Sequence, residues 1–166
     1  ATHGGSLRIY GRHAENPALP VAEAVHRLRQ PEVDDGFETL ELYRGFGEQV
    51  RATKRKLLAF LIDAKQRGKK IVGYGAPGKG NTLLNYCGIR TDFLDFTVDA
   101  NPYKQGKFTP GTRIPILAPE AIRAARPDYV LILPWNLKDE IGSQASYIRE
   151  WGGRFVVPIP EVRVLD

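Results

Sequence analysis

Methionine is absent from this sequence, cysteine occurs once, at Cys87, and histidine three times. A lone cysteine excludes an intramolecular disulfide and any zinc site built from several thiolates, and Cys87 reads as a small buried apolar residue on a helix. His3, His13 and His26 are too scattered for a metal-ligand set, and no Ser/His/Asp or Cys/His constellation can be assembled around them. No apolar run approaches the roughly 20 residues that a membrane span requires. The opening ATHGGSLRIYGRH has no basic stretch leading into an apolar one, so a cytoplasmic protein without membrane contact is expected. What is present fits a folded protein: 42% apolar and 26% charged residues leave disorder excluded, and 166 residues suffice for one main core.

The net charge of +5 is unevenly placed. Between Arg44 and Lys70 stand nine basic residues (Arg44, Arg51, Lys54, Arg55, Lys56, Lys65, Arg67, Lys69, Lys70) against Glu48 and Asp63, while the remainder is close to neutral. A field spread over the whole protein is absent, which argues against nucleic acid as a partner. A solvated helix face is the ordinary reading of the basic run. Contact with another protein segment or with a phosphate-bearing ligand is the alternative.

Three stretches follow one another. Residues 1–18 hold a short strand-like piece, Ser6–Tyr10, and then polar and proline residues typical of a connector. From Pro20 to Arg29, Val21, Ala24, Val25 and Leu28 recur at helical spacing, and Pro31 is expected to end the helix. Asp34-Asp35-Gly36 then introduces a long helix running to about Arg67, stopped by Gly68 and bent or broken near Gly45 and Gly47. From Lys69 onward, short apolar runs alternate with helical segments, as in a parallel sheet with helical crossovers. The predicted strands are Lys70–Tyr74, Phe93–Asp99, Tyr129–Leu133 and Arg154–Val157, with a short edge strand near Ile114–Ile116. Predicted helices lie at Asn81–Cys87, Pro119–Ala125 and Leu137–Trp151, the last capped by Asn136.

Right-handed crossovers restrict the strand order, and with the second strand packed on one side of the first and the third on the other, the order of the four main strands is second, first, third, fourth. The predicted fold is therefore α/β, an open, mainly parallel Rossmann-like sheet flanked by helices and preceded by a helical N-terminal extension. Its topological switch lies between the first and third strands, where ligands of open α/β sheets bind outside the carboxyl ends. Two loops face each other there: Gly75–Asn81 and Pro134-Trp135-Asn136.

Gly73-Tyr74-Gly75-Ala76-Pro77-Gly78 has the G-x-G-x-x-G spacing, follows an apolar strand and opens a helix. Glycines allow close approach to a ligand, and a helix start offers free N–H groups to a phosphate or carboxylate. Asp99, at the end of the next strand, has the place of a ribose-binding acid. Pro77 stiffens the turn, however, and Lys79 brings charge into the first helical turn, so Lys79 and Asn81 read as direct anion contacts. The residues 99–107, Asp99 to Lys107, form a turn-rich surface loop. Trp135 can offer a flat apolar face to a base or sugar, or pack in the core. A tight turn that binds nothing is the competing reading of the glycine loop.

At these residues the chain resembles a known family. Gly73–Tyr86, Thr97-Val98-Asp99, Asn101-Pro102 with Lys104-Gln105-Gly106, Pro110-Gly111-Thr112, Leu131–Asn136 and Gly152-Gly153-Arg154-Phe155 look like the C-terminal domain of bacterial sugar C-methyltransferases. The likeness covers roughly residues 36–160, and Thr2–Arg8 is similar to the end of the methyltransferase domain that precedes it in that family. Gly78 stands where alanine is expected in many relatives. The resemblance implies a three-part enzyme: an N-terminal zinc domain, a middle domain holding S-adenosylmethionine, and this domain. It also implies a nucleotide-linked keto-deoxysugar as substrate. The zinc cysteines and the family's Tyr/Glu/His segment that would supply the base are missing here, so a fragment is expected, inactive alone and carrying no catalytic residue, metal or cofactor of its own.

On that basis residues 1–18 are the tail of a missing methyltransferase domain and a connector, 19–35 a short helix, and 36–166 the Rossmann-like domain with its long leading helix. The expected substrate-binding residues are Gly75, Gly78, Lys79, Gly80, Asn81, Asp99, Lys104, Trp135 and Asn136, with His3 near the interface to the missing domain. The partners implied are the nucleotide-linked sugar and that S-adenosylmethionine-binding domain. Two alternatives remain: an independent NAD or dinucleotide-binding regulatory module, and a structural domain that docks through its basic helix.

Overall fold

The computed structural model describes residues 7–165, in two compact units, 1–51 and 52–166. His3 and the start of the expected Ser6–Tyr10 strand lie outside the described residues, and 7–10 form no strand. In the first unit, α1 (Glu23–Asp34) begins three residues later than the sequence suggests and runs through Pro31. Proline deprives a helix of one N–H and displaces the carbonyl four residues earlier. Every residue of α1 is exposed, so that carbonyl is open to water and the helix persists. Gly36 turns the chain at φ +84°, and Arg29 reaches across to Glu38 at 2.5 Å. Next, α2 (Leu40–Gln66) is unbroken through Gly45 and Gly47, contrary to the expected break. Each glycine costs about 1 kcal/mol relative to alanine, which 27 residues of helix absorb. The unit boundary falls inside α2.

The second unit is a six-stranded sheet in the order β3-β2-β1-β4-β5-β6. Its strands are β1 (Ile71–Tyr74), β2 (Thr97–Val98), β3 (Ile116–Leu117), β4 (Tyr129–Ile132), β5 (Arg154–Val157) and β6 (Arg163–Leu165). The first five run parallel and β6 is antiparallel to β5. The predicted order of the four main strands holds, and β3-β2-β1-β4-β5 is the doubly wound Rossmann-like order. Residues of β1 and β4 are all buried, since helices cover both faces. Ile71, Tyr129, Leu131 and Val156 face one core with Leu57, Leu61 and Ala64 of α2 and Leu83 and Leu84 of α3 (Gly78–Cys87). Val72, Val130, Ile132 and Phe155 face the other, with Ile122 of α4 (Ala121–Ala125) and Ile141 of α5 (Lys138–Gln144).

Several boundaries differ from the sequence reading. The expected strand Phe93–Asp99 shrinks to two residues, because Phe93 and Leu94 donate their N–H groups to the Arg90 carbonyl in a turn that buries Leu94. The expected edge strand shifts to Ile116–Leu117; beside it Gly106 N–H donates to the Ile116 carbonyl and Ile116 N–H to the Lys107 carbonyl, both at 2.8 Å. The expected helix Leu137–Trp151 divides into α5 and flanking 3-10 turns at Trp135–Leu137 and Ser146–Trp151.

The basic run is not simply a solvated face. Lys54 donates to the Tyr86 carbonyl at 2.8 Å, Lys65 pairs with Asp95 at 3.3 Å, and Lys69 pairs with Asp128 at 2.9 Å, while Asp128 also accepts the Lys70 N–H. These partly shielded contacts bind the end of α2 and the start of β1 to the sheet unit. The exposed Lys56–Glu161 pair contributes little.

Leu61 is fully buried and its neighbour Ile62 is 45% exposed. Leu61→Ala is expected to cost about 2–5 kcal/mol in urea unfolding, and Ile62→Ala under about 1 kcal/mol.

Candidate functional site

The carboxyl ends of β1 and β4 lead into the two loops that the sequence places opposite each other. After Tyr74, Gly75 takes φ +85°, and a Cβ there would stand 2.6 Å from Pro134 Cδ. A Cβ on Gly73 would stand 2.6 Å from Thr97 Oγ1, its neighbour in register on β2, and one on Gly80 would stand 2.8 Å from Leu133 Cβ. Three of the glycines are thus required by close packing within the protein. Gly78 differs: a Cβ there would meet nothing within 4 Å, so its surface faces open space.

Helix α3 begins earlier than the expected Asn81, at Gly78, with Pro77 as its cap residue at φ −79°. Proline suits that place, since its fixed φ and missing N–H cost nothing before the first turn. The opening N–H groups of Gly78, Lys79 and Gly80 precede the first intrahelical bond, which Asn81 N–H makes to the Pro77 carbonyl. Lys79 Nζ donates to Asn136 Oδ1 and lies 4.6 Å from the centre of the Trp135 ring. Trp135 is half-buried against the core, and its ring lies beneath the lysine. Lys79, Trp135 and Asn136 therefore meet at the start of α3. Asn81 lies one residue deeper, partly buried, and its Oδ1 is the one buried side-chain polar atom among the described residues that lacks a partner.

Asp99 and Lys104 are placed differently from the expectation that they line the cleft. Asp99, with its side chain 13% exposed, accepts the Ala76 N–H at 2.8 Å, the Asn101 N–H at 2.9 Å and the Lys104 ammonium at 3.0 Å. Lys104 also donates to the Ala76 carbonyl at 3.1 Å. The acid that spacing assigns to a ribose instead pins the glycine turn. Burial by itself pushes its carboxyl up, but hydrogen bonds from Asn101, Lys104 and Ala76 outweigh that and hold it below the usual carboxylate range.

Supporting groups that spacing did not single out complete the turn. Thr97 Oγ1 donates to the Gly75 carbonyl at 2.8 Å, and Gln105 Nε2 donates to the Asp99 carbonyl at 2.9 Å. Both residues stand in motifs that carry the family resemblance, Thr97-Val98-Asp99 and Lys104-Gln105-Gly106, which is the signal that could have found them. On the far side of α3, Asn85 donates to the Pro110 carbonyl at 3.0 Å, where a Cβ on Gly111 would collide with its side chain.

Two open grooves lie elsewhere. One of about 760 Å³ is lined by Lys138, Ser143, Arg149, Phe155 and Val164, and one of about 410 Å³ by Lys56, Phe60 and Glu161. Neither holds a residue of the glycine loop. Convergence of helix N–H groups, an ammonium and an aromatic face favours the start of α3 as a site for an anion.

Asp99→Asn removes the charge that gathers the turn and is expected to cost about 1–3 kcal/mol at pH 7, read by urea unfolding. Because the folded carboxyl titrates lower than the unfolded one, near pH 3.9, the stability that its ionised form contributes is complete above that pH. It is lost as pH falls through the lower folded value, so the gap between wild type and variant closes below about pH 4.

Comparison with known proteins bears on what such a site serves. Residues 1–160 match the family model described as the C-methyltransferase C-terminal domain. C-methyltransferase NovU of Streptomyces niveus is 40% identical over 167 aligned positions, covering 99% of this chain. The chain spans only 39% of that relative's length. Among solved structures, UDP-D-quinovosamine 4-dehydrogenase from Vibrio fischeri aligns at 18% identity with a TM-score of 0.44, over 59% of this chain and 93% of that one. With nearly its whole length matched, this chain belongs to the C-methyltransferase C-terminal domain family.

Proposed function

We propose that this domain binds and closes over the nucleotide-linked keto-deoxysugar of a C-methyltransferase whose bond-making residues lie in another part of the enzyme. The observation that carries the reading is the open start of α3, where Gly78 faces free space and Lys79, Trp135 and Asn136 converge. A diphosphate matches this place. The N–H groups of the exposed Gly78 and Lys79 can donate to its oxygens, and the helix start favours negative charge. An ammonium has three N–H groups; Asn136 takes one and aims the side chain, leaving the others for the anion. The ring of Trp135 suits the flat face of a base or sugar.

In this reading the proton on the carbon beside the sugar ketone is removed by a base outside this domain, and the resulting enolate attacks a methyl group. S-adenosylmethionine, held by the preceding domain with zinc in the domain before it, would supply that methyl as an electrophile, the carbon–sulfur bond breaking as the carbon–carbon bond forms and its electron pair leaving on the thioether. This chain's contribution is to hold the anchored end of the substrate, so that the reacting carbon is presented in one orientation and shielded from water. Asp99 supports the assignment of the methyl donor to another domain. Its carboxylate already accepts three internal hydrogen bonds, so it is poorly available to a ribose diol. The same engagement weakens the dinucleotide alternative. The structural-docking alternative through the basic helix is weakened too, because Lys54, Lys65 and Lys69 have partners inside the sheet unit.

Calorimetry of the 166-residue chain is expected to detect a thymidine diphosphate sugar but not NAD or S-adenosylmethionine. Lys79→Ala should weaken the sugar-nucleotide about 10–100-fold, the value of a charge-assisted hydrogen bond. Micromolar binding of NAD alone, or methyl transfer by this chain without any other domain, would overturn the assignment.

A further inference from the structure

The first unit presents an unusual surface. No described residue from 7 to 50 is buried, yet this stretch is not uniformly polar. On α1, Val25 and Leu28 lie one turn apart, and both are about half exposed. On α2, Leu40, Tyr43 and Phe46 are 69%, 58% and 61% exposed, and with Gly47 and Val50 they fall within one arc of the helix at 3.6 residues per turn. Phe37 joins them at the turn, held near Tyr43, whose hydroxyl donates to the Phe37 carbonyl at 2.8 Å. The polar side chains make local ties instead: Arg29 with Glu38, Gln30 with Asp34, and Arg51 with Glu48. Two helices of this size cannot bury a core between themselves, and an apolar arc repeated on both calls for a cover.

We infer that the apolar faces of α1 and the first half of α2 are the seat of the methyltransferase body that this C-terminal domain completes. The inference rests on the reading given under Proposed function, that other domains of the same enzyme carry out the reaction. Two further observations identify this occupant. The family is by description a C-terminal domain, and about three fifths of the length of the Streptomyces niveus relative lies outside the match. A body preceding a C-terminal domain joins it at the N-terminal side, where residues 20–50 are the first helices it meets. Attachment by covalent continuity raises the effective concentration of the two faces, so a modest apolar area suffices where two free proteins would need more. The positions with the greatest leverage are Leu28, Leu40, Tyr43 and Phe46.

Hydrogen exchange followed by mass spectrometry tests this on the natural full-length enzyme and on the 166-residue chain side by side. The expected result is that amides of residues 20–50 exchange at least tenfold more slowly in the full-length enzyme, and that Leu28→Asp with Phe46→Asp abolishes the difference. Gln30→Lys, on the opposite face of α1, should preserve it. Equal exchange in both proteins overturns the inference, since the face then stays in water. Concentration-dependent protection in the 166-residue chain, with a dimer mass in light scattering, also overturns it, because a second copy is then the occupant. A reading frame with no methyltransferase body ahead of this chain overturns it as well. Should the double variant fail to fold, protease cleavage within residues 20–50 of the unaltered proteins gives the same comparison. Failure of the sugar-binding reading is seen separately: Lys79→Ala then leaves the KM for the nucleotide-linked sugar unchanged, while the exchange difference remains.

Discussion

A single carboxylate organises the carboxyl end of the sheet. Asp99 leaves β2 and draws in the Ala76 N–H from the glycine turn, the Asn101 N–H from its own loop and the Lys104 ammonium from farther along it. Lys104 returns to the Ala76 carbonyl, so both polar groups of one turn residue are held. Because the turn is fixed, Gly75 can lie against Pro134 and Gly80 against Leu133, and α3 packs close to β4. Any ligand role for the loop depends on this arrangement, since it decides which groups are consumed inside and which remain outside. What remains is the first turn of α3 with Lys79, not the inner curve of the glycine turn. The loop is filled on one side and open on the other.

Much of the architecture was legible because its causes are local. β1, β4 and β5 announce themselves as short apolar runs, as expected of strands covered on both faces, and the order follows once the second and third predicted strands are set on opposite sides of the first. Less regular pieces were misread for equally physical reasons. Leu94 is as buried as any strand residue but reaches the core from a turn, so hydrophobicity alone lengthened β2. β6 follows Pro158 and Pro160, and the prolines conceal a strand of only three residues. At the candidate site, the strand order placed the two loops opposite each other, and the structure brings Lys79, Trp135 and Asn136 into contact there. Spacing could not reveal that Asp99 and Lys104 satisfy one another and the backbone, because hydrogen-bond saturation depends on three-dimensional closure rather than on intervals in a sequence.

The basic run illustrates the difference between charge counted and charge available. Nine cations along one segment suggest an electropositive face. In the folded chain Lys54 sits over the Tyr86 ring and caps its carbonyl, while Lys65 and Lys69 meet acids from the sheet unit. The charges of Lys65 and Lys69 are thus offset at short range, while that of Lys54 is spent on a carbonyl and a ring face. α2 uses two chemistries along its length. Its later turns place Leu57, Leu61 and Ala64 in a closed core, whereas its early turns carry aromatic and aliphatic groups that no described neighbour buries.

The pairing of Gly106 and Lys107 with Ile116 has a consequence for solubility. Parallel sheets end in a strand whose outer amides and carbonyls invite addition by a foreign chain, the first step toward cross-β stacking. On this border the invitation is withdrawn: β3 is two residues long, and the loop that returns alongside it occupies the groups of Ile116 that would template a visitor. The opposite border ends in three residues introduced by Arg163, whose charge discourages the same event. Protection from aggregation is thus built into the rim of the sheet by a loop that also carries Lys104, and a change that loosens that loop would expose a polymerising surface as well as disturb the turn.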